Sequence, residues 1–254
     1  MGIISEPSAT VHYIAFNVRK GPFKNRKMRQ AMAHLFNKKV MIKSIFQEFA
    51  TNATSPVPPG MFGFNPYLKD YEFNITKAAK LKDESGYKSK VEVSLYYSES
   101  SKNLENVANV LSRSARKIGV NIKRMPVPFS ELVNIGYEKH DMLMLGWAGD
   151  IPDADVYLFS NFTENSGRLN RSGYINPELT KLINGARRTS DRKVRKALYL
   201  KAQKIIHRDL PWIPLFHLNK LLVHNRNVKN LTIQPFSFLN FREVFFSENS
   251  LLKE

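Results

Sequence analysis

The sequence predicts an α/β fold, and residues 91–124 carry most of that prediction. Apolar and polar residues alternate from Val91 to Tyr97, as they do in a half-buried strand. Apolar residues then recur at helical spacing from Leu104 to Ile118, and Gly119 is a residue type that ends helices. The next residues, Val120–Arg124, are again strand-like. A strand, a helix and a strand in this order are typical of a βαβ unit, whose two strands run parallel with a right-handed crossover.

The residues before this unit predict a strand followed by a helix. Val11–Val18 alternates as a strand does, and Gly21-Pro22 closes it. Asn25 is a preferred capping residue, and the apolar spacing that follows it predicts a single helix to about Phe46.

A long loop is predicted from about Ala50 to Tyr71, because proline and glycine are frequent there. Four large apolar side chains in it are expected to pack on the body of the protein: Met61, Phe62, Phe64 and Tyr67. A short helix should then begin at Thr76 and end at Gly86.

The second half of the chain continues the alternation of helices and strands. An apolar strand is predicted over Asp141–Gly146, and the loop Trp147–Asp155 follows it. One helix is predicted to begin at Ser130, and a helical turn after the loop is predicted to end at about Asn161. Two more helices are predicted, one from Asn176-Pro177 to about Arg188 and one that begins at Ser190. The segments Trp212–Val223 and Leu231–Phe246 read as strands and loops.

Composition excludes several classes of protein. The hydrophobic fraction of 43% is enough for a core, so wholesale disorder is excluded. The chain has no cysteine, which excludes disulfides, a thiol nucleophile and cysteine-ligated zinc. Its apolar runs, such as Met142–Leu145, are too short to cross a bilayer.

The formal net charge of +17 leaves three interpretations open. The chain could bind nucleic acid, it could meet an anionic membrane surface or acidic ligands, or it could come from a generally basic proteome. The basic residues are spread along the whole sequence and no nucleic-acid-binding motif is present. A basic nucleic-acid-associated α/β domain is therefore kept as the alternative function and not as the first prediction.

Motifs for catalysis are missing from the sequence. The six histidines have no metal-ligand spacing, and there is no GxSxG, Walker or GxGxxG motif. Asp150, Asp153 and Asp155 could in principle bind a hard cation, but they lack the loop pattern of a calcium site. Turn formation and capping are the simpler interpretation. We therefore predict no enzyme, no metal site and no cofactor.

One segment is a candidate binding site on its position alone. The apolar strand ending at Leu145 runs directly into Trp147 and Asp150. In open α/β sheets ligands gather at the carboxyl ends of strands, so both side chains are site candidates. The alternative is that Trp147 fills the core and Asp150 caps the following turn.

Short motifs along the chain occur in a fixed order across residues 13–217. They are Phe16-Asn17; Pro22-Phe23-x-Asn25-x-Lys27-Met28-Arg29-Gln30-Ala31; Pro58-Pro59-Gly60-Met61-x-Gly63 with Ala78–Leu81 and Gly86-Tyr87; Gly146-Trp147-x-x-Asp150-x-x-Asp153; Ser172-Gly173-Tyr174-x-Asn176-Pro177-Glu178-Leu179; and Tyr199-x-x-Ala202-Gln203-x-Ile205 with Asp209-x-Pro211-x-Ile213-Pro214. This series resembles the dipeptide, oligopeptide and nickel receptors of bacterial ABC importers, which form family 5 of the extracytoplasmic solute-binding proteins.

The resemblance implies the C-terminal lobe of a two-lobed periplasmic-binding-protein-like fold, with a mixed sheet, βαβ units and flanking helices. Residues 1–11 would be a disordered start or linker, and residues 12–222 the ligand-binding lobe, with hinge crossings near Tyr13–Val18 and Leu215–His224. Residues 223–254 would return toward an N-terminal lobe of the same parent chain. The implied location is periplasmic or extracytoplasmic and membrane-associated, and the implied partners are a peptide ligand and the permease subunits, with no nucleic acid.

The resemblance also implies a site. An extended peptide would lie along the edge of the strand formed by Leu145, Gly146, Trp147, Ala148 and Gly149. Trp147 would wall a side-chain pocket, and the two glycines would permit close backbone approach. Asp150 would receive the α-ammonium of the peptide, while Asp153 and Asp155 would cap the turn and its helix. Within the family, a nickel- or haem-binding receptor is the alternative.

One loop departs from the pattern of dipeptide-specific relatives, which carry an arginine for the ligand carboxylate. The matching loop here, Tyr97–Ser101, has no basic residue before Lys102. The sequence therefore favours oligopeptides over a strict preference for dipeptides.

Overall fold

The computed structural model describes residues 1–233 and 239–247. Its helices are α1 Arg26–Ala33, α2 Lys38–Phe46, α3 Ile75–Glu84, α4 Lys102–Arg116, α5 Phe129–Leu132, α6 Asp155–Phe162, α7 Pro177–Arg187 and α8 Arg192–Asp209. Its strands are β1 Gly2–Pro7, β2 Thr10–Phe16, β3 Ala50–Asn52, β4 Val91–Ser98, β5 Val120–Val127, β6 Met142–Ala148, β7 Trp212–His224, β8 Val228–Lys229, β9 Thr232–Ile233, β10 Leu239–Asn240 and β11 Phe245–Phe246. Part of the predicted tail, residues 234–238 and 248–254, lies outside the described residues.

The longer strands form one mixed sheet of seven strands, in the order β1-β7-β2-β6-β4-β5 with β3 also on β7. β4 is parallel to β5 and to β6, and every other pairing in this sheet is antiparallel. The helix α4 joins β4 to β5, which confirms the predicted βαβ unit. The α/β class with a mixed sheet and flanking helices is confirmed as well.

The sheet has a hydrophobic core on each of its two faces, and β2 shows why. Ile14 and Phe16 are fully buried in one cluster, which also contains the inner face of α4. Val11 and Tyr13 are fully buried in the other cluster, with the inner faces of α7 and α8. Side chains alternate between the faces of a strand, so a central strand that is covered on both faces is apolar throughout.

The single helix predicted from Asn25 to Phe46 is two helices in the structure. Asn25 caps α1 as expected, but the helix ends at Ala33. Asn37 starts α2 by accepting a hydrogen bond from the amide of Val40 at 3.2 Å. His34, between the two helices, is held by the carbonyl of Glu72 through its ring Nδ1 at 2.6 Å. A contact from a distant loop therefore interrupts a continuous helical pattern.

Two further expectations differ from the structure. The helix expected from Ser130 is only the single turn α5, because Pro128 precedes it and Gly136 follows soon after. Of the loop side chains expected to pack inward, Met61 is buried and Phe62 and Phe64 are half-buried, whereas Tyr67 is 77% exposed.

The expected linker over residues 1–11 contains the strand β1. Its six residues pair with β7 from Gly2 opposite His224 to Pro7 opposite Asn219. The result is a two-stranded ribbon with exposed apolar side chains, such as Ile3 and Leu221. Within the predicted first hinge crossing, Tyr13–Val18, the residues from Tyr13 to Phe16 are fully buried in the sheet. The division of the chain into a lobe and a returning tail stays a prediction.

Within the described part of the chain, no helix is both long and apolar enough to span a membrane.

Candidate functional site

The strand β6 has a paired edge and a partly open edge. It pairs with β2 along its whole length, from Thr10 opposite Ala148 to Phe16 opposite Met142. On the other side it pairs with β4 only through Met142 and Leu143. From Met144 to Ala148 this second edge therefore has no strand partner among the described residues. It lies at the carboxyl end of the parallel strands, where α/β sheets bind ligands.

The predicted site residues follow one another along this open edge. Leu145 is buried and anchors the strand, and Trp147 is half-buried. The indole Nε1 of Trp147 donates to the carbonyl of Val156 at 3.0 Å, which fixes the ring plane. Ala148 and Asp150 are exposed. The structure thus places an oriented aromatic side chain and a solvent-facing carboxylate beside unpaired backbone.

The two glycines of this segment differ in how tightly their neighbours pack. A Cβ on Gly149 would lie 2.6 Å from Cγ2 of Val156 and 2.8 Å from the hydroxyl of Tyr157. A Cβ on Gly146 would lie 3.2 Å from Cε1 of His12, on the neighbouring strand. A side chain at position 149 would therefore force Val156 or Tyr157 to move, whereas one at position 146 would make only a tight contact with His12. Their predicted role in close approach to a peptide backbone stays a prediction.

Tyr157 ties the end of β6 to another part of the sheet, and the sequence analysis did not identify it. Its buried hydroxyl donates to the carbonyl of Ala9 at 2.6 Å and accepts from the amide of Gly149 at 3.2 Å. Burial raises the pKa of this phenol to about 12, so the hydroxyl keeps its proton at neutral pH. The turn that carries Asp150 is thereby attached to the junction between β1 and β2.

The three acidic residues after β6 have different environments. Asp153 forms a two-point ion pair with Arg195 at 2.8 and 3.0 Å, and its carboxylate accepts from the amide of Asp155 at 2.9 Å. Asp155 lies 3.4 Å from Arg187, and burial raises its pKa. Asp150 has no ion pair in the part of the chain that the structure describes. Arg187 and Arg195 were not predicted, because they come more than thirty residues later and no local pattern marks them.

These carboxylates do not converge on a cation. Across residues 1–233 and 239–247, no group of three or more metal-ligating side chains is close enough to hold a metal ion. Asp153 also stabilises the turn, as expected, although its main contact is the ion pair with Arg195.

The loop at the end of β4 is lined by hydroxyl groups. The hydroxyls of Ser98 and Ser100 lie 2.9 Å apart, and that of Ser101 caps α4 by accepting from the amide of Leu104. The first basic residue, Lys102, is engaged with Glu105 at 2.8 Å. The loop Tyr97–Ser101 itself contains no cation.

The mixed α/β fold can be compared with known families. A profile described as "Bacterial extracellular solute-binding proteins, family 5 Middle" matches residues 1–168. The chain belongs to this family, as its motifs predicted.

Relatives and solved structures agree with this membership. The chain is 31% identical over 250 residues to heme-binding protein A of Haemophilus influenzae, covering 95% of this chain and 45% of the relative. It is 28% identical over 252 residues to the dipeptide-binding protein of Escherichia coli, covering 96% and 47%.

The structure of HbpA2 from Haemophilus parasuis superimposes with a TM-score of 0.89 at 26% identity, covering 97% of this chain and 50% of that one. The structure of DppA from Helicobacter pylori in complex with the peptide STSA superimposes with a TM-score of 0.82 at 32% identity. The match covers 89% of this chain and 45% of that one. The chain spans about half the length of the curated relatives that it matches.

Proposed function

We propose that this chain is the ligand-binding lobe of an extracytoplasmic receptor that captures peptides for a bacterial ABC importer. The receptor would enclose the peptide between this lobe and a second lobe of the same parent chain, and deliver it to the permease subunits in the membrane. The proposal assigns no enzymatic activity to the chain. Family membership supports it, and the open edge of β6 beside Trp147 and Asp150 is the observation that carries it.

The open edge of β6 suits an extended peptide. Backbone N–H and C=O groups from Met144 to Ala148 have no strand partner on the side of β4. A peptide that adds a strand there gains main-chain hydrogen bonds that do not depend on its sequence. The oriented ring of Trp147 would then form one wall of a pocket for a ligand side chain. This arrangement gives affinity with broad specificity, which a nutrient receptor requires.

Asp150 is the carboxylate available for the peptide α-ammonium. Asp153 and Asp155 already have arginine partners, whereas Asp150 is exposed and has no ion pair among the described residues. A ligand ammonium enclosed between two lobes loses its water and needs an ionised partner. The ligand would stabilise the closed state of the two lobes by the difference between its binding free energies to the closed and open states.

The test is a pair of carboxylate substitutions in the full-length receptor. Loss of one member of an enclosed ion pair costs about 2–5 kcal/mol, so Asp150→Asn should weaken peptide binding by roughly 30-fold or more. Amino-acetylated peptides should bind the wild-type receptor poorly, and Asp150→Asn should change their affinity little. Isothermal titration calorimetry measures both effects.

The matched control is Asp153→Asn, the same substitution three residues further along the chain. It should lower the melting temperature by breaking the ion pair with Arg195 and change peptide affinity much less. Unchanged affinity in Asp150→Asn together with lost binding in Asp153→Asn would contradict the assignment.

The hydroxyl-lined loop Tyr97–Ser101 supports a receptor for tripeptides or longer peptides. With Lys102 engaged by Glu105, no cation of the loop stops a carboxylate two residues from the amino end of the ligand. Mass spectrometry of ligands that co-purify with the full-length receptor should therefore show oligopeptides. A pool of dipeptides alone would contradict this expectation. Haem or a nickel complex in place of peptides would support the alternative within the family.

A further inference from the structure

The exposed side of α8 carries a group of basic side chains. Five exposed side chains form it, and we call them the α8 basic face: Arg192, Lys193, Lys196, Lys201 and Lys204. None of them has an ion pair among residues 1–233 and 239–247. Arg192 and Lys204 are twelve residues apart on α8, so at a rise of about 1.5 Å per residue this face extends over about 18 Å.

The acidic residues near α8 do not neutralise this face. Asp191 caps the helix by accepting from the amides of Lys193 and Val194 at 2.8 and 3.2 Å. Asp209, at the other end, is bonded to Arg208 and to the hydroxyl of Tyr174. Both carboxylates are occupied, so the five cations remain available to an anionic partner.

Apolar groups are interleaved with these cations. A groove of about 490 Å³ separates the start of α8 from the loop Gly60–Pro66, and Phe62 and Phe64 line it. The Arg192 guanidinium lies 4.6 Å from the centre of the Phe62 ring. Val194 on the helix is 48% exposed. The surface thus combines cations with exposed apolar area, as membrane-surface helices do.

Neighbouring segments border α8 on two sides. α7 packs along one side of the helix. The loop from Asn65 to Tyr71 runs along another side, because Asn65 bonds to the backbone of Leu200 and Tyr71 to that of His207. A helix bordered in this way cannot enter the major groove of DNA, which is only about 12 Å wide. Tyr67, 77% exposed on that loop, is a residue type enriched where proteins meet lipid headgroups.

We propose that the α8 basic face is a docking surface for an anionic phospholipid membrane. The cations attract the lipid phosphates, while Tyr67 and Val194 reach the headgroup region. Docking would keep the lobe close to the bilayer. The proposal does not depend on the ligand site at β6, so its failure would leave the proposed peptide receptor standing.

The experiment is co-sedimentation of the 254-residue chain with lipid vesicles. Vesicles of phosphatidylglycerol mixed with phosphatidylcholine should sediment the protein, and vesicles of phosphatidylcholine alone should not. High salt should weaken the binding, because it screens charges at the surface. The variant carrying Lys193→Glu, Lys196→Glu and Lys201→Glu should bind at least about tenfold more weakly. Glutamate and lysine have similar helix propensities, so α8 should remain folded.

The control variant reverses the same number of charges on another surface. Lys88→Glu, Lys90→Glu and Lys117→Glu are exposed substitutions around the β4–β5 edge. This variant has the same net charge as the α8 variant and should keep most of the vesicle binding. Equal losses in the two variants would overturn the proposal in favour of a non-specific effect of net charge. Binding to duplex DNA that the α8 variant loses, without any loss of vesicle binding, would also overturn it.

Discussion

The hydroxyl of Tyr157 joins two segments of the chain that are separated by 148 residues, through its bond to Ala9. Tyr157→Phe keeps the ring and leaves the carbonyl of Ala9 and the amide of Gly149 without this partner. We expect a loss of about 1–3 kcal/mol in the free energy of unfolding, because unsatisfied buried polar groups are costly. Amide exchange at Gly149 should also become faster. Urea denaturation and NMR measure these two effects.

Tyr13→Phe is the matched control for this prediction. The hydroxyl of Tyr13 is buried and has no hydrogen-bond partner among the described residues, while its ring stacks on Trp212. Removing it should leave stability unchanged or raise it, because no bond is lost and no partner is stranded. A larger loss in Tyr13→Phe than in Tyr157→Phe would contradict the role given to Tyr157.

The sequence identified the candidate site where local pattern was sufficient. Trp147 and Asp150 were found because an apolar strand leads directly into them, and the structure places both at the carboxyl end of β6. Arg195 and Tyr157 were missed because the partners they bind are brought close only by the fold. Local pattern can locate the end of a strand, but it cannot say which charges along the chain will neutralise each other.

The start of α7 offers a test of how capping connects helices to the body of the protein. Asn176 accepts from the amide of Leu179 at 3.1 Å and donates to Tyr174 and Asp209 at 3.0 and 3.3 Å. Asn176→Ala removes the cap and both outward bonds. Since a cap alone contributes about 1 kcal/mol, we expect a loss of about 2 kcal/mol, measured by thermal or urea denaturation.

Asp191→Ala at the start of α8 serves as the comparison. Asp191 is exposed and its cap reaches only the first turn of its own helix. The expected loss is about 1 kcal/mol. If the free energy of unfolding falls equally in both variants, the hydrogen bonds from Asn176 to Tyr174 and Asp209 contribute nothing to stability.

Elements whose signals lie within a short stretch of sequence were predicted well. The βαβ unit and α7 follow from periodicity and capping residues, and their bounds agree with the structure to within a few residues. The break between α1 and α2 was missed because the loop that holds His34 is distant in sequence. β1 was missed because its six residues become a strand only by pairing with β7.

The stability of the whole domain should depend on pH through its buried histidines. Burial lowers the pKa of His12, His140 and His217 to about 4 in each case. Neighbouring cations add to this effect, with Lys38 near His217 and Arg171 near His140. The three rings are therefore neutral in the folded domain at neutral pH.

The direction of the pH effect follows from these shifts. The unfolded chain binds a proton on each histidine near pH 6.5, whereas the folded chain does so only near pH 4. The histidines' contribution to stability is therefore complete above about pH 6.5 and is lost as the pH falls toward 4. Urea denaturation at a series of pH values should show this fall. NMR signals assigned to His12, His140 or His217 that titrate near pH 6.5 in the folded protein would contradict it.

The position of β7 in the sheet also constrains how the protein is made. This strand lies between β1 and β2 and also pairs with β3, yet it begins only at Trp212. Closing the sheet joins His12 to Phe216 across nearly the whole chain, and such long-range pairing makes folding slow. While the ribosome is still adding residues before Trp212, the apolar edge of β2 has no β7 to cover it. The nascent protein therefore carries an aggregation-prone strand edge until β7 has left the ribosome, and shielding of that edge until then would favour correct folding.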